Sequence, residues 1–240
     1  MNKTISAEAS AQPFYPNAYF YFGFAFLIIL LGFLPSYFLK LGETNVAHHF
    51  HGMTASLWML LLVIQPLLYK TGKMMWHRML GKTSFILVPL LVGGGLVMIH
   101  IMMNNGNYPP LIPYKLSFID FFTLGEFLLF YILAIKNISS TQYHARYMAC
   151  TIFGPLNPAL TRLLFWVPAV DSFSISLNIS YIIIEVVVLM LIFDDKKRGK
   201  VRLPYPLMFG LLVVQHVIMN YVADWGWWQE LMKSYGQIAF

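Results

Sequence analysis

Charge is scarce in this chain: 11% of its 240 residues are Asp, Glu, Lys or Arg, against roughly 25% in an ordinary soluble domain. Cysteine is scarcer still. Cys150 stands alone, which excludes an intrachain disulfide and any metal cage built from cysteines. Phosphate-binding glycine loops, nucleophile elbows and His-Glu-x-x-His zinc motifs are missing, and so are internal repeats and low-complexity segments. No cleavable signal peptide is recognisable. A polar, Pro-containing leader precedes the first apolar run, which is too long for a signal core.

What the chain has in abundance is apolar length. Hydrophobic residues make up 58% of it, more than a single soluble core can hide, so it belongs in a bilayer. The apolar runs cover 18–39, 47–69, 83–104, 116–135, 146–167, 174–193 and 205–224. Each is near the ~20 residues that cross a bilayer as a helix, and none shows the ten-residue alternation of a membrane β-strand. The expected fold is all-α: a seven-transmembrane-helix bundle over 18–224. A polar cytoplasmic leader (1–17) precedes it, and an interfacial tail (225–240) follows. In that tail Trp225, Trp227 and Trp228 favour the headgroup layer, where the indole ring is apolar and its N–H is wet.

The net charge of +6 is explained by its distribution and not by affinity for nucleic acid. Loops 70–82, 136–146 and 196–202 carry eleven of the 16 Lys and Arg, and Lys3 joins them on one side of a seven-span topology. Lys40, Lys115 and Lys233 lie on the other side, and Arg162 falls inside a span. The positive-inside rule then puts the N-terminus in the cytoplasm and the C-terminus outside.

Polar residues inside the apolar runs mark the candidate site, because burying such groups at bilayer depth costs several kcal/mol. His51, His100, Asp120, Glu126, Arg162, Glu185 and His216 are these residues. Helical spacing puts His51, Trp58 and Gln65 on one face of the second run. Asn178, Tyr181 and Glu185 share a face of the sixth run, and His216 and Asn220 lie one turn apart in the seventh. Counting depth from the run ends at roughly 1.5 Å per residue predicts an outward-facing polar chamber that reaches the bundle centre. Each residue also has a structural reading. Arg162 paired with Asp120 or a glutamate fixes helix order, and a membrane His or Glu often bonds a neighbouring helix. The three glycines Gly93, Gly94 and Gly95 let a neighbouring helix approach. At the basic end, His77 with Arg78 and His144 with Arg146 read as headgroup anchors. If His77 and His144 face each other, they form a second His pair.

His51-Gly52-Met53, Trp58, Gln65-Pro66, His77-Arg78 and Gly81 resemble a pattern of uncharacterised bacterial multi-helix membrane proteins. That resemblance covers about a fifth of the chain and implies the bacterial cytoplasmic (inner) membrane. The His pairs are distantly similar to those of transmembrane b-type cytochromes. That likeness implies haem b, held on the outer side by His51 and His100 and on the inner side by His77 and His144. Microbial rhodopsins need a Schiff-base lysine in the last span, and 205–224 has none. Hydrolases built like adiponectin receptors use several His and an Asp around zinc. Here Asn220 stands where a second His beside His216 would help, which leaves His51, His100 and Asp120 as a three-ligand zinc set.

Three function classes follow. The first is a bundle that binds a small ligand or cofactor, or relays protons through Glu126, Glu185 and His216, with the bilayer and other membrane subunits as partners. The second is electron transfer through b-type haem. The third is metal-dependent hydrolysis in the membrane.

Overall fold

The computed structural model describes residues 15–239, so most of the leader, Lys3 included, lies outside the described residues. Among the described residues all regular structure is helical. The helices are α1 (Ala18–Phe33), α2 (Val46–Lys70), α3 (Met74–Met103), α4 (Ile112–Lys136), α5 (Thr141–Cys150), α6 (Phe153–Leu164), α7 (Phe173–Lys197), α8 (Pro204–Met219) and α9 (Gly226–Gly236). Short 3-10 turns cover Phe38–Glu43 and Val222–Asp224. By length and composition α2, α3, α4 and α7 can cross a membrane, while α1 and α8 are shorter apolar helices. Many apolar side chains face outward, among them Ile86 at 70% and Met190 at 64% exposure. In water such a surface would be costly, and in hydrocarbon it is not.

Local chemistry sets the helix ends. The Asn45 side chain accepts the His48 N–H at 3.0 Å to start α2, and the Ser172 hydroxyl accepts that of Ile175 at 3.2 Å to start α7, each satisfying one orphan donor of a first turn. Gly72, at φ +71°, takes the left-handed position that closes the tight α2–α3 turn. Helix α3 begins nine residues before the 83–104 run does, so His77 and Arg78 lie on its first turns and not in a loop.

The run 146–167 is not one helix. It breaks at Thr151 and Ile152 into α5 and α6. Pro155 explains the break: it has no N–H for the Thr151 carbonyl four residues back, and its ring crowds that carbonyl. The Thr151 hydroxyl turns back to donate to the Met148 carbonyl at 2.7 Å.

Helix α2 packs along α3, α1 lies against α2 and α6, α7 against α6 and α8, and α4 against α3, α5 and α8. Where α1 meets α6 the approach is backbone to backbone: a Cβ on Gly32 would lie 2.5 Å from the Ala159 carbonyl oxygen. The core runs through Trp58, Met59, Phe130, Tyr181, Ile184 and Val188. The tail is more than an interfacial strip. Trp228 is 8% exposed and donates its indole N–H to the Tyr114 carbonyl at 2.8 Å. The Tyr235 hydroxyl donates to the Leu96 carbonyl at 2.8 Å. Helix α9 is therefore docked on α3 and α4, with Trp227 (61% exposed) left on its outer face.

Candidate functional site

A cavity of about 780 Å³ opens at the basic end of the bundle, lined by α1, α2, α3 and α5 and by the connection from α4 to α5. Its wall is mainly apolar (Phe22, Leu61, Pro66, Phe85, Met148), and its polar members include Gln65, Lys70, His77, Arg78, Lys82, Ser84 and His144. Trp58 reaches it from α2, held by its indole N–H to the Thr151 hydroxyl at 3.3 Å and by edge contacts with Phe127 and Tyr131. Ser84 and the Tyr131 hydroxyl share a hydrogen bond of 2.9 Å. These bonds make the inner wall a rigid aromatic surface.

The two histidines of this cavity are held alike. His77 Nδ1 lies 3.3 Å from the Gln65 carbonyl, and His144 Nδ1 lies 2.9 Å from the Ala134 carbonyl. A carbonyl can only accept, so Nδ1 carries the proton in both rings and the Nε2 lone pair is the one left to bind. Orientation of this kind, by a main-chain carbonyl at the distal nitrogen, is what metal-ligating histidines use. The two rings are electrostatic neighbours. Gln65 adds a side-chain amide with neither its oxygen nor its nitrogen partnered among the described residues. Arg78 and Lys82 are one helical turn apart on α3, and both are exposed beside the cavity. Lys70, in contrast, is engaged, donating to the Asn17 side chain at 3.1 Å and the Tyr19 hydroxyl at 3.2 Å.

The outer histidines are arranged differently. His51 packs against α3 beside Leu91 and Gly94, and its buried Nδ1 has no partner among the described residues. His100 Nδ1 donates to the Tyr235 carbonyl of the docked tail at 3.2 Å, and its Nε2 accepts from Asn104 at 3.3 Å. His100 lies six residues beyond Gly94, about 9 Å along the helix axis. His51 and His100 thus differ in level by more than one helical turn, and both His100 nitrogens are engaged, by Tyr235 and Asn104. The zinc set is not formed: among the described residues no three His, Cys, Asp or Glu side chains converge where a metal could sit.

Asp120 and Arg162 attract each other electrostatically, yet among the described residues they do not close to an ion pair. The Arg162 guanidinium donates to the Pro158 carbonyl at 2.8 Å and stacks 4.4 Å over Phe33. Asp120 is ringed by protein while its own surface stays accessible, which places it in a recess of the bundle. Glu126 Oε1, Asn157 Nδ2 and the Tyr181 hydroxyl are buried without partners among the described residues. Glu185, His216, Asn178 and Asn220 do meet, on the seam between α7 and α8. His216 Nδ1 lies 2.8 Å from Glu185 and its Nε2 lies 3.0 Å from Asn178 Oδ1. Tyr181 stacks on the His216 ring at 4.9 Å.

One buried ion pair escaped the sequence reading. Arg146 and Asp195 are both fully buried. Arg146 Nε donates to the two Asp195 oxygens at 3.0 and 2.8 Å, and Nη2 donates to Oδ1 as well. Nη1 donates to the Gln142 carbonyl and side chain, each at 2.7 Å. Arg146 is thus not a headgroup anchor but the tie between α5 and α7. Asp195 sits at the head of a run of Lys and Arg that reads as a solvated loop, so nothing in the local pattern singles it out. Comparison of the chain with protein-family models, with curated proteins and with solved structures returned no match.

Proposed function

We propose that this chain is an integral membrane protein that binds a small amphipathic ligand or cofactor in the cavity at its basic end. In this reading six helices and the broken α5–α6 pair make seven spans in a bacterial cytoplasmic membrane. The N-terminus is inside, and the cavity opens toward the cytoplasm. The observation that carries the reading is the cavity itself: a mainly apolar volume of about 780 Å³ with Arg78 and Lys82 at its edge. Such a lining suits a flat or extended apolar body with an anionic group. Gln65 lies in the wall with its amide buried and unpartnered among the described residues. Asp120, Arg162 and Tyr181 in the outer half, with Glu126 near the bundle centre, form a separate outward-facing chamber in this account. The test is native mass spectrometry of the detergent-released protein. A bound non-protein mass in wild type that disappears when Gly81→Phe fills the cavity supports the reading. Gly81 accepts a side chain because a Cβ there meets nothing nearer than the Gln65 amide at 3.7 Å.

A second reading is favoured by the matched histidines: b-type haem held by His77 and His144 and not by His51 and His100. What supports this reading is the donor set and its setting. Both Nδ1 atoms are fixed by carbonyls at 3.3 and 2.9 Å, and Arg78 and Lys82 supply cations for two carboxylates. Haem, when bound, supplies reversible one-electron transfer. The chain's own residues orient the two rings, exclude water with Trp58 and Phe85, and neutralise the acidic edge. Oxidised and dithionite-reduced optical spectra test this. A Soret band lost in His77→Ala and in His144→Ala, yet kept in His51→Ala, supports it, and a flat visible spectrum from haem-replete cells refutes it.

A further inference from the structure

The α7–α8 seam holds a second device, and neither helix lines the basic-end cavity. Its hydrogen-bond directions can be worked out from fixed acceptors. Asn178 Nδ2 lies 2.7 Å from the Ser174 carbonyl, and Asn220 Nδ2 lies 2.9 Å from the His216 carbonyl. Turning either amide over would set oxygen against oxygen, so both orientations are fixed. Asn178 Oδ1 therefore accepts from Asn220, at 3.1 Å, and accepts again from His216 Nε2, at 3.0 Å. His216 Nε2 carries a proton.

That leaves the 2.8 Å contact of His216 Nδ1 with Glu185 Oε1. One proton must lie between them, either on the acid facing a neutral ring or on an imidazolium facing a carboxylate. In both forms the pair is neutral overall, and in both the contact is attractive. Without that proton, a lone pair faces a carboxylate at hydrogen-bond distance, and the contact becomes repulsive. Glu185 lies midway along α7, so the pair sits near the middle of a membrane-length helix. At that depth a lone carboxylate is expensive.

We propose that Glu185 and His216, oriented by Asn178, are a one-proton binding site that holds α7 against α8 when loaded and lets the seam open when empty. The groups facing it are few. Tyr181 on α7 stacks on the imidazole at 4.9 Å with planes 19° apart. The Tyr181 hydroxyl is buried and lies in the field of Asp120 and Glu126 on α4 as well as of Glu185. Arg162 on α6 is drawn to Asp120. Arg146 on α5 is paired with Asp195 near the C-terminal end of α7. Tyr181 thus touches the imidazole with its ring, while its hydroxyl makes no hydrogen bond among the described residues.

The test uses the full-length protein in micelles. Nitrogen NMR of His216, assigned by the signal missing in His216→Gln, reads its protonation. Spin labels at Ile182→Cys and Val217→Cys, exposed at 50% and 55% on the two helices, read the seam distance, with Cys150 buried. The expected result is Nε2 protonated at every pH, a single proton lost from the pair, and an increase in label distance in that same step. Glu185→Gln places an amide N–H against Nδ1 and should abolish the distance change. A neutral His216 with its proton on Nδ1 would overturn the proposal. So would a wild-type distance that does not follow the titration, or an unaltered transition in Glu185→Gln. If Glu185→Gln does not fold, the wild-type tautomer and distance decide the matter.

Discussion

Asp195→Asn is the substitution whose consequence follows most directly from the structure. Arg146 and Asp195 have no exposed side-chain surface, and Arg146 Nε reaches both carboxylate oxygens within 3.0 Å. The isosteric amide keeps the shape but takes the negative charge from beside a buried guanidinium. Removing one member of a buried pair costs about 3–5 kcal/mol, which lowers the folded fraction ratio by roughly two to four powers of ten. The Asp195 Oδ2 that accepts the Arg202 N–H at 3.3 Å is also changed, so the α7–α8 connection should loosen with it. Removing both charges together, as Arg146→Met with Asp195→Leu, should come within about 1 kcal/mol of wild type or better, because the desolvation penalty goes as well. Reversible unfolding of the purified protein in mixed micelles measures all three. If Asp195→Asn lost no more than the ~1 kcal/mol typical of an exposed ion pair, the reasoning would be wrong. The pair would then be solvated and not a tie between helices.

Other perturbations test other contacts. Gly32→Ala puts a Cβ 2.5 Å from a main-chain oxygen that cannot swing away, so it should cost about 1–3 kcal/mol as overpacking does, whereas Gly23→Ala, which meets nothing within 4 Å, should not; the same unfolding assay compares them. Trp228→Ala removes a buried ring and its bond to Tyr114 and should release α9, seen as faster amide exchange over 226–236 while α2 is unaffected. Burial, together with the hydrogen bond to Asp194, pushes the Tyr15 hydroxyl well above its usual 10.0. The unfolded chain then loses that proton first, and stability falls as pH rises through that range. Tyr15→Phe should flatten this alkaline decline in a pH series of unfolding midpoints.

The helices were largely legible because apolar length is a strong signal in a chain this poor in charge. The start of α8 at Pro204 and the extent of α2 differ from the apolar runs by a residue at most. The division of 146–167 was written in Pro155, but an apolar count does not register a missing donor. The candidate site was legible only in part. Periodicity grouped Asn178 and Glu185 correctly, because one helix carries both and the partner His216 lies at matching depth. For His51 and His100, depth counted from the run ends did not fix the register of α2 on α3, which sets His51 level with Gly94, and the docked tail holds His100 through Tyr235. Periodicity did not show how His77 and His144 are held. Their setting beside Arg78 and Arg146 looks like a headgroup belt, and the carbonyls that orient them come from Gln65 and Ala134, whose side chains say nothing about that role.

The most direct test of the binding account is the native mass spectrum of the released protein, wild type against Gly81→Phe. The account predicts a bound small molecule on the wild-type chain and none on the variant, with both equally folded by unfolding midpoint. The same adduct on both, or no adduct on wild type freshly released from its own membrane, would contradict it.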